Sequence, residues 1–377
     1  MNFGNLITKE EMYSKIDYIV EKIKEINNKN IQIITHGDID GFVSAYSLEK
    51  YLSSLGEFNI KSKSISYDDL IHFDEYCNKL DYQNKIIIIL DIFDQKFITK
   101  FEWQDYFIID HHDGQKKYFV NENMINIANY FTIDIVPSMG SYMFGYVKSK
   151  EKISFPSWFS LVARFSDHTF ESNEFFIPLT KEEKEANFFM GLPRSEVVDF
   201  IEFINTFFNN PLEIDEIYHV FKQCVDSGNI FYYLFSNSKE LIYLRDLKKE
   251  IDKTRDKLLK KCLTKHKKYE KERLVIFNLN EKENGARRLI QNQLEYAFIG
   301  YNILILIKKD DIFVISYRTN TTKFDVVKNL KPIYDVYCKF GGHPFAAGGF
   351  VKAELKKRFI KDTLAYLRKY YLEENKK

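Results

Sequence analysis

Phe107-Ile108-Ile109-Asp110-His111-His112 is an apolar run that stops abruptly on an acid and two adjacent imidazoles. Phe and Ile in unbroken succession predict a buried strand, and polar groups at its end need partners: a metal, a substrate or one another. Neighbouring residues of an extended chain point to opposite sides, so one imidazole can bind a metal while the other faces a ligand. A strand end whose imidazoles cap nearby carbonyls is the plainer alternative. The flanking sequence decides between them.

Upstream, Ile86-Ile87-Ile88-Ile89-Leu90 is a second apolar run, and it ends in Asp91. Five large aliphatics in a row suit a strand buried on both faces, as in a parallel sheet covered by helices. A third run, Ile31-Gln32-Ile33-Ile34-Thr35, leads into His36-Gly37-Asp38-Ile39-Asp40-Gly41, after which Phe42 to Leu52 has helical spacing. In an extended turn Asp38 and Asp40 fall on the same side, and two converging carboxylates repel unless a cation sits between them. Strands at 31–35, 86–90 and 106–109, separated by helical or mixed segments, form an α/β pattern. Ligands of open parallel sheets bind at the carboxyl ends of the strands, so His36, Asp38, Asp40, Asp91, Asp110, His111 and His112 can meet in one place. Further on, Trp158, Leu161, Val162 and Phe165 mark one face of a helix that ends at Ser166-Asp167. Alone, Asp167 would read as a cap; beside the others it offers another ligand.

In type and order, His36-Gly37-Asp38-Ile39-Asp40-Gly41, Leu90-Asp91, Asp110-His111-His112 and Asp167 resemble the four motifs of the DHH phosphoesterases. That family includes RecJ-type nucleases, oligoribonucleases, cyclic-dinucleotide phosphodiesterases and family II pyrophosphatases. The resemblance implies two divalent ions, Mn(II) or Mg(II), used to hydrolyse a phosphoester or phosphoanhydride bond. It implies His36 and Asp38 on the first ion, Asp40, His111 and Asp167 on the second, and Asp91 bridging. Asp110 and His112 would be the catalytic pair, the acid orienting the imidazoles and His112 directed at substrate. The donor types agree, since carboxylate and imidazole suit Mn(II), while no thiolates are at hand for a cysteine-zinc site. Two ions roughly 3.5–4 Å apart clamp the attacking and leaving oxygens of an in-line displacement.

Length and charge narrow the setting. A chain of 377 residues is long enough for two domains with separate cores. With 55 basic and 54 acidic residues the net charge is +1, which leaves no global field for coating long duplex DNA. Cys77, Cys224, Cys262 and Cys338 show no C-x-x-C pairing, and the first ten residues lack a signal-like apolar segment. No apolar run reaches the roughly 18 residues of a membrane span. These features predict a cytoplasmic protein without membrane contact.

The expected organisation is a parallel-sheet DHH-like catalytic domain at 1–236, a helical connector at 237–272 and a smaller α/β domain at 273–377. In the last, Arg318 ends a predicted strand, and Phe340-Gly341-Gly342-His343-Pro344-Phe345-Ala346-Ala347-Gly348-Gly349 predicts a glycine-rich loop whose backbone N–H groups cradle phosphate. Both features resemble the DHHA1 substrate-binding domain, which implies that Arg318, Gly341, Gly342 and His343 bind substrate across an interdomain cleft. The short H-x-D-x-D-G spacing resembles RecJ and the NrnB-type oligoribonucleases, and a DHHA1-like domain argues against a pyrophosphatase. RecJ proteins usually add an oligonucleotide-binding fold, for which the sequence after Gly349 leaves no room. The expected substrates are therefore short single-stranded RNA or DNA oligonucleotides cut to mononucleotides, with homodimerisation allowed. A RecJ-like single-strand exonuclease, a dinucleotide or 3'-phosphoadenosine 5'-phosphate hydrolase and a non-catalytic nucleotide sensor are the alternatives.

Overall fold

A computed structural model describes residues 8–65, 69, 73–80, 82–112, 122–131, 136–150, 153–166, 176–178, 194–207, 214–280, 284–319, 324–334, 336–343 and 345–374. The chain divides into two compact units, Met1–Asp246 and Leu247–Lys377.

The first unit is built on five parallel strands, β1 (Asn30–His36), β2 (Asn59–Ile65), β3 (Ile86–Leu90), β4 (Tyr106–Asp110) and β5 (Met124–Asn126), in the order β2-β1-β3-β4-β5. Its helices are α1 (Lys9–Glu25), α2 (Ile39–Ser54), α3 (Phe73–Lys79), α4 (Gln95–Phe101), α5 (Met139–Ser149), α6 (Phe159–Phe165), α7 (Arg194–Thr206), α8 (Ile214–Ser227) and α9 (Tyr232–Phe235). Every residue of β3 is buried, as a two-sided apolar strand requires. On one face, Phe73, Tyr76 and Cys77 of α3 and Phe97 and Phe101 of α4 pack onto Ile34, Ile87, Ile89 and Ile108. The parallel registers Thr35↔Leu90 and Leu90↔Ile109 align the C-terminal ends of β1, β3 and β4 side by side. Three of the polar strand ends thus share one edge.

The helix α10 (Lys239–Thr264) contains the division between the units. It is shorter than the connector expected over 237–272: Lys267–Tyr269 is a strand, β6, of the second sheet. The apolar helical period lapses after Cys262, and exposed Lys267 and Lys268 suit a sheet edge, where charge discourages further pairing. Leu241, Leu244, Leu258 and Cys262 of α10 are buried.

The second unit holds a mixed six-stranded sheet with β7 (Leu274–Asn280), β8 (Asn302–Lys309), β9 (Ile312–Thr319), β10 (Cys338–His343) and β11 (Ala346–Lys352), ordered β10-β11-β9-β8-β7-β6. Only β7 and β8 pair in parallel. One face packs against α12 (Val326–Tyr334) and α13 (Lys356–Glu374) through Leu330, Tyr334, Phe359, Leu367 and Tyr371. The other packs Val275, Phe277, Ile303 and Ile305 against Ile290 and Leu294 of α11 (Asn284–Ala297).

The glycine-rich stretch is not a loop. It forms an antiparallel pair with the register Phe340↔Gly349, Gly341↔Gly348, Gly342↔Ala347 and His343↔Ala346. One of its glycines serves close packing of backbones: a Cβ on Gly349 would lie 1.9 Å from the Lys339 carbonyl oxygen, whereas one on Gly341 meets nothing within 4 Å. Gly349→Ala is expected to destabilise the fold by about 2–3 kcal/mol, because backbone rather than a side-chain tip must move. Gly341→Ala should be neutral or stabilising by up to about 1 kcal/mol. Urea unfolding of the two variants checks the contrast.

Candidate metal centre

The strand ends bring their polar residues into a buried cluster. His36 closes β1, and Asp38 caps α2, its carboxylate accepting from Gly41 N at 3.0 Å. The other Asp38 oxygen lies 2.9 Å from His36 Nδ1, and Asp91 Oδ2 lies 3.7 Å from the same nitrogen. Asp91, directly after β3, has φ 59°, a left-handed conformation that strains most residues and that Asp tolerates better than most. Its Oδ1 accepts no hydrogen bond and lies 3.1 Å from His111 Nε2.

The His111 arrangement bears on what the cluster can hold. Its Nδ1 is 3.0 Å from the Pro137 carbonyl, so Nδ1 must carry the proton, and a neutral ring then turns the lone pair of Nε2 towards Asp91 Oδ1. Two acceptors facing each other repel unless a proton or a metal ion intervenes. Removing several carboxylates from water costs several kcal/mol each, more than burying one isoleucine returns, so compensation by cations is required. Two sets of donor atoms each lie within 4.8 Å of one another: His36, Asp38 and Asp91, and Asp91, His111 and His112. Asp91 belongs to both. The residues present fit a pair of divalent cations.

His112 Nδ1 donates to Asp110 Oδ1 at 2.7 Å, and Asn126 Nδ2 donates to the His112 carbonyl at 3.0 Å. Asp110 thus orients His112, while His111 takes its orientation from Pro137. Burial by itself would lower the His112 pKa, but the adjacent Asp110 carboxylate outweighs it and raises the value. For Asp110 burial works upward, and the His112 charge overrides it and lowers the value. His36 follows the same rule: burial disfavours its charge, yet Asp38 and Asp91 raise its pKa to about 9.

Asp40 departs from expectation. The sequence reading put Asp38 and Asp40 on one side of an extended turn, but α2 begins at Ile39 and carries the two carboxylates to different neighbours. Asp40 Oδ2 accepts from Met139 N, and Oδ1 from Gly140 N, both at 2.9 Å, with Ser166 Oγ donating to Oδ1 at 2.5 Å. The N-terminus of α5 thereby anchors this carboxylate, whose Oδ2 remains 3.7 Å from His111 Nε2. Gly140 is required for the approach, since a Cβ there would stand 2.8 Å from Asp40 Oδ1. Met139, Gly140, Ser166, Pro137 and Asn126 were all missed by sequence reasoning; only Ser138-Met139-Gly140 after a proline carried a helix-start signal. Asp167 lies outside the described residues.

The second unit places Arg318 opposite Ala346, which pairs in turn with His343. Those residues form one row across β9, β11 and β10. Arg318 Nη1 donates to the Tyr317 carbonyl at 3.2 Å, and its Nε stands 3.9 Å from Glu295 of α11. Gly341 and Gly342 lie in β10, an edge strand, where they pair with Gly348 and Ala347.

No family model matches the chain, and neither does any curated protein. Solved structures do resemble it. RecJ from Thermus thermophilus in complex with Mn2+ superposes with TM-score 0.64 at 13% identity, covering 97% of this chain and 55% of that one. A structure of exonuclease RecJ bound to manganese gives 0.57 at 13% identity, covering 97% and 96%. The DHH domain of a member of a family of ribosomal proteins gives 0.58 at 14%, covering 98% and 94%. The chain spans about half the length of the Thermus protein. These likenesses establish the fold: a five-stranded parallel-sheet unit followed by a smaller mixed-sheet unit, as in the RecJ and DHH-domain structures.

Because metal binding must displace the His36 proton, Mn2+ affinity should rise about tenfold per pH unit between about pH 7 and 9 and level off above, with about one proton released at pH 7. Without metal the sign reverses: the proton's contribution to folding is complete below the ordinary value of 6.5 and is lost as pH rises through about 9. Calorimetric titrations across this range, in buffers of different ionisation heat, measure the first effect. Gly140→Ala should weaken Mn2+ binding by about 10–100-fold through displacement of Asp40.

Proposed function

We propose that the chain is a metal-dependent phosphodiesterase that hydrolyses short single-stranded RNA or DNA oligonucleotides to mononucleotides. The observation that carries this reading is the pair of donor clusters sharing Asp91, one from β1 and the start of α2, the other from the end of β4. His36, Asp38 and Asp91 would hold one divalent cation, and Asp91, His111, Asp40 and Asp167 the other. Mn(II) is favoured over Mg(II) by the two imidazoles. Two such cations supply positive charge for the phosphoryl oxygens and make an attacking water more acidic.

The chain's own residues do the remainder. Asp91 holds the two donor clusters at a fixed separation through a left-handed backbone that, among residues with a side chain, the short polar ones tolerate best. Asp110 holds the His112 ring through Nδ1 and favours its protonated form, whose Nε2–H would donate to a substrate oxygen as charge develops on the leaving group. Asn126 restrains the same residue through its carbonyl. In the second unit, Arg318 and His343 share a row and would grip a substrate phosphate, with Gly341 and Gly342 just before His343 on the edge strand and open space beside Gly341. The exonuclease described for one similar structure agrees with a phosphodiester substrate.

His112 also falls within one donor cluster, which supports a second reading of it as a metal ligand. The two roles separate in one variant. His112→Asn should lower kcat by about 10²–10³-fold with unchanged Mn2+ stoichiometry, whereas a ligand role predicts loss of an ion. Asp91→Ala should abolish turnover. Arg318→Ala should raise KM more than it lowers metal affinity. Mononucleotide release from dinucleotides, pentanucleotides and strands of about 30 nucleotides tests the substrate class directly. Faster turnover of the long strands would favour the RecJ-like alternative, and binding without turnover under any divalent metal would favour a sensor.

A further inference from the structure

The second unit carries a group of cations that the reading above does not use. Lys356, the first residue of α13, donates from Nζ to Asn278 Oδ1 at 2.7 Å and stands 4.0 Å from the centroid of the Phe313 ring. Asn278 lies on β7 between Ile276, which pairs with Lys267 of β6, and Asn280, which pairs with Lys308 of β8. Residues two apart on a strand share a face and lie about 7 Å from each other. Lys267 and Lys308 therefore flank the Asn278–Lys356 contact from the two neighbouring strands. Their charges are close enough to oppose that of Lys356, which burial and then Lys267 and Lys308 lower from its ordinary pKa. Among the described residues no carboxylate pairs with any of the three.

Four elements thus contribute three lysines and the Asn278 amide to one face of the sheet, with Lys356 between the other two. The aromatic ring and the amide oxygen hold Lys356 in place despite the repulsion. This face is not the one that carries Arg318. Arg318 pairs with Ile303, whose side chain packs with Val275 and Phe277, whereas Lys308 pairs with Phe313, which belongs to the cluster on the opposite face. An unopposed local cluster suits one or two phosphates of a flexible single strand. A duplex needs an extended field, which a chain of net charge +1 lacks.

We propose that Lys267, Lys308, Lys356 and Asn278 form a second phosphate-binding site, which holds the backbone of a single-stranded nucleic acid on the face of the second sheet opposite Arg318. The site goes beyond the catalytic reading and stands or falls apart from it. Fluorescence anisotropy with a labelled single strand of about 12 nucleotides, in EDTA so that no turnover is needed, measures binding by the full chain. Replacing all three lysines by Gln should weaken binding about tenfold or more at low salt and reduce the slope of log affinity against log salt by about 2, while replacement by Arg preserves both. Dinucleotide hydrolysis by the Gln variant should match wild type, which also shows that the variant folds. Equal affinity and equal salt slope in the Gln variant would overturn the proposal, as would a patch that takes inorganic phosphate but no strand. Absence of hydrolysis in the wild type, with the strand still lost on Gln substitution, would refute the catalytic reading alone.

Discussion

The first unit depends on the Asp91 carboxylate, which has one oxygen 3.7 Å from His36 and the other 3.1 Å from His111. β3 is buried along its whole length, so its end offers no water to solvate that charge. The left-handed turn at Asp91 delivers the group into the cluster instead of out of it. Neighbouring strand ends then have to supply complementary groups, and the registers of β1 and β4 against β3 put His36 and His111 within reach. An apolar replacement of Asp91 would keep the left-handed backbone at a higher cost and remove the charge that the neighbouring groups surround.

Several side chains of the cluster have a support of their own. Pro137 fixes the tautomer of His111, Asp110 fixes His112, and the start of α5 fixes Asp40. These contacts join β4, α2, α5 and Ser166 around one spot, so local geometry and fold stability are tied together. The cost of burying so much negative charge is offset in part by helix-terminal N–H groups and in part by protonated imidazole. That second part is what a metal must displace.

Much of this was legible in sequence because apolar runs ending in acid or imidazole are rare, and because a parallel sheet collects strand ends at one edge. Phe107 to His112, Ile86 to Asp91 and Ile31 to Asp40 each carried that signal. The destination of Asp40 was not legible: its partners are about a hundred positions away, and a backbone N–H has no residue identity to read. The glycines of β10 and β11 misled for a related reason. Gly reads as loop by propensity, yet here tight backbone contact between strands demands it at Gly349. Lys267 and Lys268 fell within the expected helical connector and instead lie on a sheet edge, where their charge discourages further pairing.

The central claim is that Asp91 joins two metal positions. Electron paramagnetic resonance of the chain titrated with Mn(II) tests it most directly. Two bound ions per chain with an exchange-coupled spectrum, which Asp91→Ala abolishes, is the predicted result. A single bound ion, or two ions that remain magnetically independent in the wild-type chain, would contradict it.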